Sequence, residues 1–333
     1  MPLTRNPDID PFDDPLMNQP LKPETPDEPH WLSRSAFQIV VFLFLFTQIA
    51  LFFVLKSGVS LWFAVPLVLI ASHLMHGAAV GFHEATHGRL RPNRTFNEFD
   101  GVLIGTFSFL PFSLYRAAHQ SHHAFLATER DEELWPFVFP GTPRWARVLA
   151  AMLELTFGFL YTPFLFFRTF LRKGSPIRNR KVRRRIWKEV ALIVVVWTGI
   201  LAAVGYWNVW PYFFWMYLAP AFLTGNLQAW RKYIEHVGMT GHTPNSATRS
   251  IVAEDRIGRL VSFTLLHEPY HGLHHLHAGL SHAELPGLVA DLHPTTRGEL
   301  HPFPSYRHAL MDLLRCLGDP RVGSQWGDVP NRP

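Results

Sequence analysis

Three short clusters of histidine carry the most specific chemical signal in this chain of 333 residues. One is an H-x-x-x-H pair and two are H-x-x-H-H triplets, formed by His83, His87, His119, His122, His123, His271, His274 and His275. On an α-helix, positions i, i+3 and i+4 lie on one face, so each cluster can turn its imidazoles toward the same point. Imidazole is the commonest metal ligand among side chains. The spacing therefore predicts metal binding by all three clusters.

A ninth histidine, His236, ends the stretch Arg231-Lys232-Tyr233-Ile234-Glu235-His236 and joins the candidate ligands. The single cysteine, Cys316, excludes a thiolate zinc site, an iron–sulfur cluster and an intrachain disulfide. Imidazole nitrogens suit Fe, Zn, Cu and Ni, so the ligand type alone leaves the metal open. Nine ligands exceed what one ion can use, and they imply two ions.

Several acids lie close to the clusters in sequence. Each could accept a hydrogen bond from the ring nitrogen that faces away from a metal, which fixes the tautomer of the ligand. The alternative for each is a solvated acidic turn. The candidates are Glu84, Glu129, Asp131, Glu132, Glu133 and Glu235.

The remaining histidines are expected to have ordinary roles. His73 and His76 lie inside an apolar segment, where we expect them to form hydrogen bonds within a helical bundle. His267 and His277 flank the third cluster, and their role stays open. The others are expected to be solvated: His30, His242, His282, His293, His301 and His308.

The elements that must position these clusters are apolar. Hydrophobic residues make up 48% of the chain and charged residues 17%, which excludes a disordered, fibrous or nucleic-acid-coating protein. Uncharged runs of about 20 residues can cross the roughly 30 Å of membrane hydrocarbon as helices. Such runs predict four transmembrane helices in two hairpins, at about 36–55, 59–82, 190–207 and 211–230.

The segments between and around these spans carry most of the charge. Two shorter apolar runs, Gly101 to Tyr115 and Leu155 to Phe167, are flanked by charge and predict helices on or in the membrane interface. Residues 1–35 hold eight prolines and predict an irregular N-terminal arm, and residues 291–333 are assigned to a C-terminal tail. Ten basic residues without an acid lie between Arg168 and Lys188, typical of a loop that faces anionic headgroups.

The distribution of charge also predicts sidedness. The two long segments, 83–189 and 231–333, hold nearly all Lys and Arg, and the positive-inside rule therefore assigns them and both termini to the cytoplasm. All nine candidate ligands follow the second or the fourth span, on that same side. We thus expect an all-α, multi-pass integral membrane protein of a bacterial inner membrane, with a cytoplasmic helical cap that carries the histidine clusters.

The order and spacing of the three clusters resemble the membrane fatty acid desaturase and hydroxylase superfamily, which also includes carotenoid ketolases and alkane hydroxylases. The resemblance covers about residues 36–290, which would form one membrane domain, and it implies a di-iron centre that activates O2. His83 and His87 match the first histidine box of these proteins, and His236 matches an extra ligand that often precedes the third. The second box corresponds to His119, His122 and His123, and the third to His271, His274 and His275.

The resemblance implies oxidation of a long-chain fatty acyl or lipid substrate, with desaturation as the first interpretation. Hydroxylation of the acyl chain comes second, and decarboxylation of a fatty acid to a terminal alkene third. Reduction of O2 during such a reaction requires two further electrons, and the chain has no flavin or nicotinamide fingerprint. We therefore expect a separate electron carrier, such as a ferredoxin, a rubredoxin or a b-type cytochrome, and no nucleic-acid partner.

Two other classes of protein use histidines in this way. His83-Glu84-Ala85-Thr86-His87 is also H-E-x-x-H, the pattern of a membrane zinc metalloprotease, in which the glutamate is the base. That pattern alone leaves both H-x-x-H-H clusters unexplained. A metal transporter would carry its ligands inside the spans, where only His73 and His76 lie.

Overall fold

The computed structural model describes residues 29–296 and 298–327, which are almost entirely helical. Most of the predicted N-terminal arm, residues 1–28, lies outside the described residues. The described part contains no β-strand, only an isolated bridge between Ile251 and Phe303. We label the longer helices α1 (Ala36–Lys56), α2 (Ala64–Thr86), α3 (Arg94–Phe107), α4 (Phe112–Ala124), α5 (Arg144–Leu171), α6 (Arg180–Tyr206), α7 (Ala219–His236), α8 (Arg256–Thr264), α9 (His271–Leu276) and α10 (Tyr306–Cys316).

The remaining elements are short. Helices of four residues occur at Trp31–Arg34, Trp210–Phe213 and Pro244–Ala247, and a π-helix occurs at Phe214–Leu218. The 3-10 helices are Leu61–Phe63, Glu132–Leu134, Leu285–Leu292 and Ser324–Trp326.

Four helical segments of the described chain are long and apolar enough to cross a membrane: Ala36–Lys56, Leu61–Thr86, Arg144–Leu171 and Arg180–Tyr206. The first, second and fourth lie where the sequence predicts spans. The first two also pack closely, because a Cβ atom on Gly77 of α2 would lie 3.1 Å from a methyl group of Val40 in α1. The described part of the protein is thus all-α, with four candidate transmembrane helices.

The prediction of a short interfacial helix at Leu155 to Phe167 is wrong, because these residues belong to the 28-residue helix α5. The flanking charges do not end the helix, since they are paired within the protein. Glu154 is fully buried, accepts a hydrogen bond from the Tyr233 hydroxyl at 3.0 Å and also pairs with Lys232. Arg168 lies 3.1 Å from Glu132. Because the charges of Glu154 and Arg168 are paired with partners in the protein, the helix continues past both residues. The sequence had indicated that the helix ends at these charges.

The run from Gly101 to Tyr115 also differs from the expected single helix. It is divided between α3 and α4, which are bent by 102° around a break of a few residues. Phe109 has a φ of 54° at the break, a left-handed conformation that is uncommon for a bulky side chain. Two backbone carbonyl groups before the break accept hydrogen bonds from side chains. The Trp197 indole donates to the Thr106 carbonyl at 2.9 Å, and the Tyr217 hydroxyl donates to the Phe107 carbonyl at 2.5 Å.

The predicted fourth span, 211–230, falls on the π-helix and on α7, which are not among the four candidate spans. Helix α7 packs mainly against α2 and α5. The crossing with α5 is close, because the Gly158 amide donates to the Asn226 side chain at 2.8 Å. The span at 211–230 and the second hairpin therefore remain predictions.

The region after residue 290 packs against the body of the protein. Leu313 and Val322 belong to a buried core that also includes Tyr233 of α7. Arg249, which is almost fully buried, lies 2.6 Å from Asp312 of α10. The predicted boundary at residue 290 is therefore not a break in packing.

Candidate metal centre

The ends of four helices meet at one buried site. His83 is near the end of α2 and His87 caps it, whereas His236 is the last residue of α7. The second cluster lies in the last turns of α4, and the third forms most of α9. The structure therefore brings all nine predicted ligands together, although they are spread over almost 200 residues of sequence.

Five of the nine histidines form a first group, in which one ring nitrogen of each lies within 4.8 Å of those of the others. The distances between Nε2 atoms are 3.1 Å for His87 and His119, 3.0 Å for His119 and His123, and 3.0 Å for His123 and His274. The fifth member is His83. All three boxes contribute to this group.

The remaining four histidines form a second group. In three of them, His122, His236 and His275, one ring nitrogen of each lies within 4.8 Å of those of the other two. His271 joins them, because its Nε2 atom lies 2.8 Å from that of His236 and 3.1 Å from that of His275.

Adjacent histidines of the triplets belong to different groups. His122 and His275 are in the second group, while His123 and His274 are in the first. Successive residues on an α-helix point about 100° apart, so two adjacent imidazoles can serve two neighbouring ions. The rings of His123 and His275 stack with their centroids 4.3 Å apart, which makes the groups neighbours.

Acidic side chains contact the Nδ1 atoms of several of these rings. Asp131 lies 2.8 Å from Nδ1 of His122, and Glu133 lies 2.9 Å from Nδ1 of His119. A carboxylate at Nδ1 holds the proton there and leaves Nε2 free as a metal ligand. The prediction of acid support is confirmed for these two carboxylates.

The other four candidate acids have different surroundings. Glu132 pairs with Arg168 and Arg172, and Glu129 is exposed. Glu84 lies 3.8 Å from Nδ1 of His83, beyond hydrogen-bond distance, and accepts a hydrogen bond from the backbone of His282 instead. Glu235 lies 3.7 Å from Nε2 of His271, on the side that faces the second group.

Sequence reasoning missed Glu268, a buried carboxylate 3.1 Å from Nδ1 of His271 and 3.3 Å from Nδ1 of His83. It precedes His271 by three residues, the spacing at which side chains of a helical turn meet. An acid at that spacing is the signal that could have identified it.

The protonation state of the histidine rings is compatible with metal binding. Burial, together with the neighbouring imidazoles, lowers the pKa of His123, His274 and His275 well below the usual value of 6.5. These rings are therefore neutral near pH 7, the form that binds metals. Nine converging imidazoles exceed the coordination number of one ion, so the donor set fits two.

Several other histidines lie outside both groups. His73 is 2.7 Å from the Thr264 hydroxyl, as expected within the bundle, whereas Nε2 of His76 has no hydrogen-bond partner among the described residues. The prediction that His282 is solvated is wrong, because the loop after α9 buries it against His267. His277 pairs with Asp291 at 2.8 Å.

Comparison with known proteins gives the site a context. The chain matches the fatty acid desaturase family over residues 60–307, more than half of its length, and this range contains all nine histidines. The chain belongs to the fatty acid desaturase family. Membership supports an oxidoreductase that acts in a membrane, as the sequence predicts.

A curated protein to which the chain is similar is the sn-1 acyl-lipid omega-3 desaturase (ferredoxin) of Synechocystis sp.. It is 27% identical over 132 residues, which cover 39% of this chain. The match spans 35% of that relative, about a third of its length.

Proposed function

We propose that this member of the fatty acid desaturase family is an O2-dependent di-iron oxidase of a fatty acyl chain, with desaturation as the first reaction. The observation that carries the proposal is the convergence of nine imidazoles, six of them buried and three half-buried, into two adjoining groups. Two irons held by these nitrogens would supply the oxidising power to remove hydrogen from an unactivated C–H bond. Zinc and calcium have no redox chemistry of that kind.

Aromatic side chains close one side of the first group. The ring of Tyr115 stacks on that of His119, with centroids 5.4 Å apart and planes 20° apart. Phe82 also stacks on Tyr115, with centroids 4.8 Å apart. Both rings are buried in the apolar core beside the histidines and exclude water from this side of the group. Burial of each methylene contributes about 0.8 kcal/mol, so apolar surroundings of this kind suit a long acyl chain better than a small polar metabolite.

Desaturation, hydroxylation and decarboxylation differ in which hydrogen is removed and whether oxygen is added. The test supplies iron-loaded protein with reductant, O2 and deuterated acyl substrates, as free acid, thioester and phospholipid, and identifies the products by mass. We expect an alkene of unchanged carbon number. A gain of one oxygen would favour hydroxylation, and loss of one carbon as CO2 would favour decarboxylation. No O2-dependent product from any long hydrocarbon substrate would contradict the proposal.

We also propose that the histidine boxes lie on the cytoplasmic side. Trp62 near the start of Leu61–Thr86, and Tyr206 and Trp207 at the end of α6, are exposed, as in interfacial aromatic belts. The opposite ends of these two helical segments carry His83 and the basic residues of α6. Labelling with an impermeant maleimide should modify Val59→Cys in intact cells, but Lys173→Cys only after permeabilisation. The reverse pattern would contradict this orientation.

We propose a separate electron carrier for the same reaction. Removal of two hydrogens from an acyl chain gives two electrons and two protons, while reduction of O2 to two waters takes four of each. The name of the Synechocystis relative includes ferredoxin, which supports a carrier of that class. Six exposed basic residues have no ion-pair partner among the described residues and suit such a partner: Lys173, Arg178, Arg180, Lys181, Arg184 and Lys188.

These six residues form a basic surface that is connected to the metal centre through an acidic turn. Arg168 and Arg172 precede them in sequence, and both pair with Glu132. The neighbours of Glu132 in sequence, Asp131 and Glu133, are the residues that contact His122 and His119. A carrier docked on the basic surface would therefore lie near the residues that hold both histidine groups.

A membrane zinc metalloprotease is the alternative from another class. Its glutamate base must face the bound ion, whereas Glu84 turns one oxygen toward the backbone of His282. Metal analysis separates the alternatives, since one zinc per chain favours the protease and loosely bound mixed metal favours a transporter.

A further inference from the structure

Glu268 lies between the two histidine groups and contacts both. Its Oε1 atom is 3.1 Å from Nδ1 of His271 in the second group, and its Oε2 atom is 3.3 Å from Nδ1 of His83 in the first. This second contact is electrostatic rather than a hydrogen bond, because Nδ1 of His83 and Oε2 of Glu268 both lack a hydrogen-bond partner in the described part of the chain. The carboxylate is only 1% exposed, so water does not compete for either imidazole.

The backbone before Glu268 is held in an unusual conformation. Leu266 and His267 have φ values of 51° and 55°, in the left-handed region that residues other than glycine rarely adopt. Such a conformation costs stability, and strain of this kind concentrates at functional sites. The strained pair is fixed by a hydrogen bond from the His267 amide to the Ser262 carbonyl, at 2.8 Å. The conformation places Glu268 beside the two imidazoles.

Arg231 holds the carboxylate from the other side. Its Nη1 atom lies 2.6 Å from Oε1 of Glu268 and 2.9 Å from Oε2 of Glu235. Arg231 is on α7, little more than one turn before the ligand His236. One arginine therefore ties the loop that carries Glu268 to the helix that ends in a second-group ligand.

We propose that Glu268 is a positioning residue that orients one imidazole of each group and so couples the two metal environments. The inference rests on the proposed di-iron function. Asp131 and Glu133 serve as natural comparisons, because each contacts a single ring, that of His122 or that of His119. A carboxylate at Nδ1 sets the orientation of the ring and the basicity of its Nε2 atom. Loss of Glu268 should therefore change both ions, whereas loss of either other acid should change one.

The test measures the Mössbauer spectrum and iron content of protein loaded with 57Fe in detergent. We expect Glu268→Gln to shift the whole iron absorption, because a ligand of each ion loses its partner. Glu133→Gln and Asp131→Asn should each shift about half of the iron absorption, because each of these acids contacts a ligand of only one ion. The exposed Glu254→Gln is the control and should leave the spectrum unchanged.

The replacement is compatible with folding, because Arg231 keeps Glu235 as its partner in Glu268→Gln and no buried charge is left alone. Glu268→Asp provides a second variant that keeps the charge but shortens the reach by one methylene. Glu268→Asp should shift at least half of the Mössbauer absorption, measured in protein that inserts normally into the membrane. A spectrum identical to wild type in Glu268→Asp would contradict the inference.

The outcomes also separate this inference from the proposed function. Wild-type protein that does not hold two irons per chain would contradict the di-iron proposal itself. Wild-type protein with two irons, in which Glu268→Gln shifts half of the absorption or none, would overturn the coupling role while leaving that function in place.

Discussion

The two histidine groups are built from the same side chain, yet their surroundings differ. The first group holds five imidazoles and takes ligands from all three boxes. The second holds four, and Glu235 lies within the same cluster as His236 and His271. The carboxylates beside the first group, Glu268 and Glu84, face Nδ1 of His83 at 3.3 Å and 3.8 Å, whereas in the second group Glu235 lies 3.7 Å from Nε2 of His271. Two chemically unequal sites thus arise from a sequence pattern that looks nearly symmetric.

The largest effect should come from removing one ligand of either group. His274→Ala and His275→Ala change adjacent residues of α9 that serve different groups. We expect each to abolish oxidation of the acyl substrate, because the proposed reaction uses both ions. His277→Ala, which removes a half-buried ring paired with Asp291, is the matched control and should stay active. Full activity in both His274→Ala and His275→Ala, in protein extracted from membranes, would contradict the assignment.

The next effect concerns the acids that support each group. Glu133→Gln perturbs a ligand of the first group and Asp131→Asn a ligand of the second. Loss of such a partner costs about 10–100-fold in metal affinity or activity. Iron titration and turnover should both show it, with the exposed Glu129→Gln as the control. Equal behaviour of the three variants would mean that the acids do not tune the ligands.

A steric change on α7 should disturb the second group through helix packing. A Cβ atom at Gly225 would lie 2.4 Å from the Cα atom of Phe159 in α5, so Gly225→Ala forces the helices apart. Overpacking of this kind costs about 1–3 kcal/mol. We expect a lower thermal midpoint and weaker iron binding, because α7 carries His236. Gly199→Ala in α6, where a Cβ would meet nothing within 4 Å, is the control. An unchanged midpoint in Gly225→Ala would show that this crossing adapts freely.

The smallest effect lies outside both groups, on the basic surface. Neutralising Lys173, Arg178, Lys181 and Arg184 together should slow turnover with the electron carrier several-fold at low salt. The difference should fade at high ionic strength, since charges farther apart than about 10 Å are screened at 0.1 M salt. Arg307→Gln on the exposed face of α10 is the control. If only the amount of inserted protein changes, this surface contacts lipid rather than a carrier.

The metal centre was largely predictable because helical spacing is a local property. His119, His122 and His123 share one face of α4 whatever the rest of the chain does. Glu268 was missed because its contact with His83 joins residues far apart in sequence. Helix α5 was misjudged for a related reason, since the partner that neutralises Glu154 lies on α7. Local patterns therefore predict which side chains can bind, while pairing between distant residues decides how they are supported.

The proposed oxidation depends on nine histidines that form two neighbouring iron sites. The most direct test is the metal content of wild-type protein, purified in detergent and loaded anaerobically with Fe²⁺ after treatment with a chelator. We expect two irons per chain, bound tightly enough to survive gel filtration. One ion per chain, or zinc retained in preference to iron, would contradict the proposal of two iron sites.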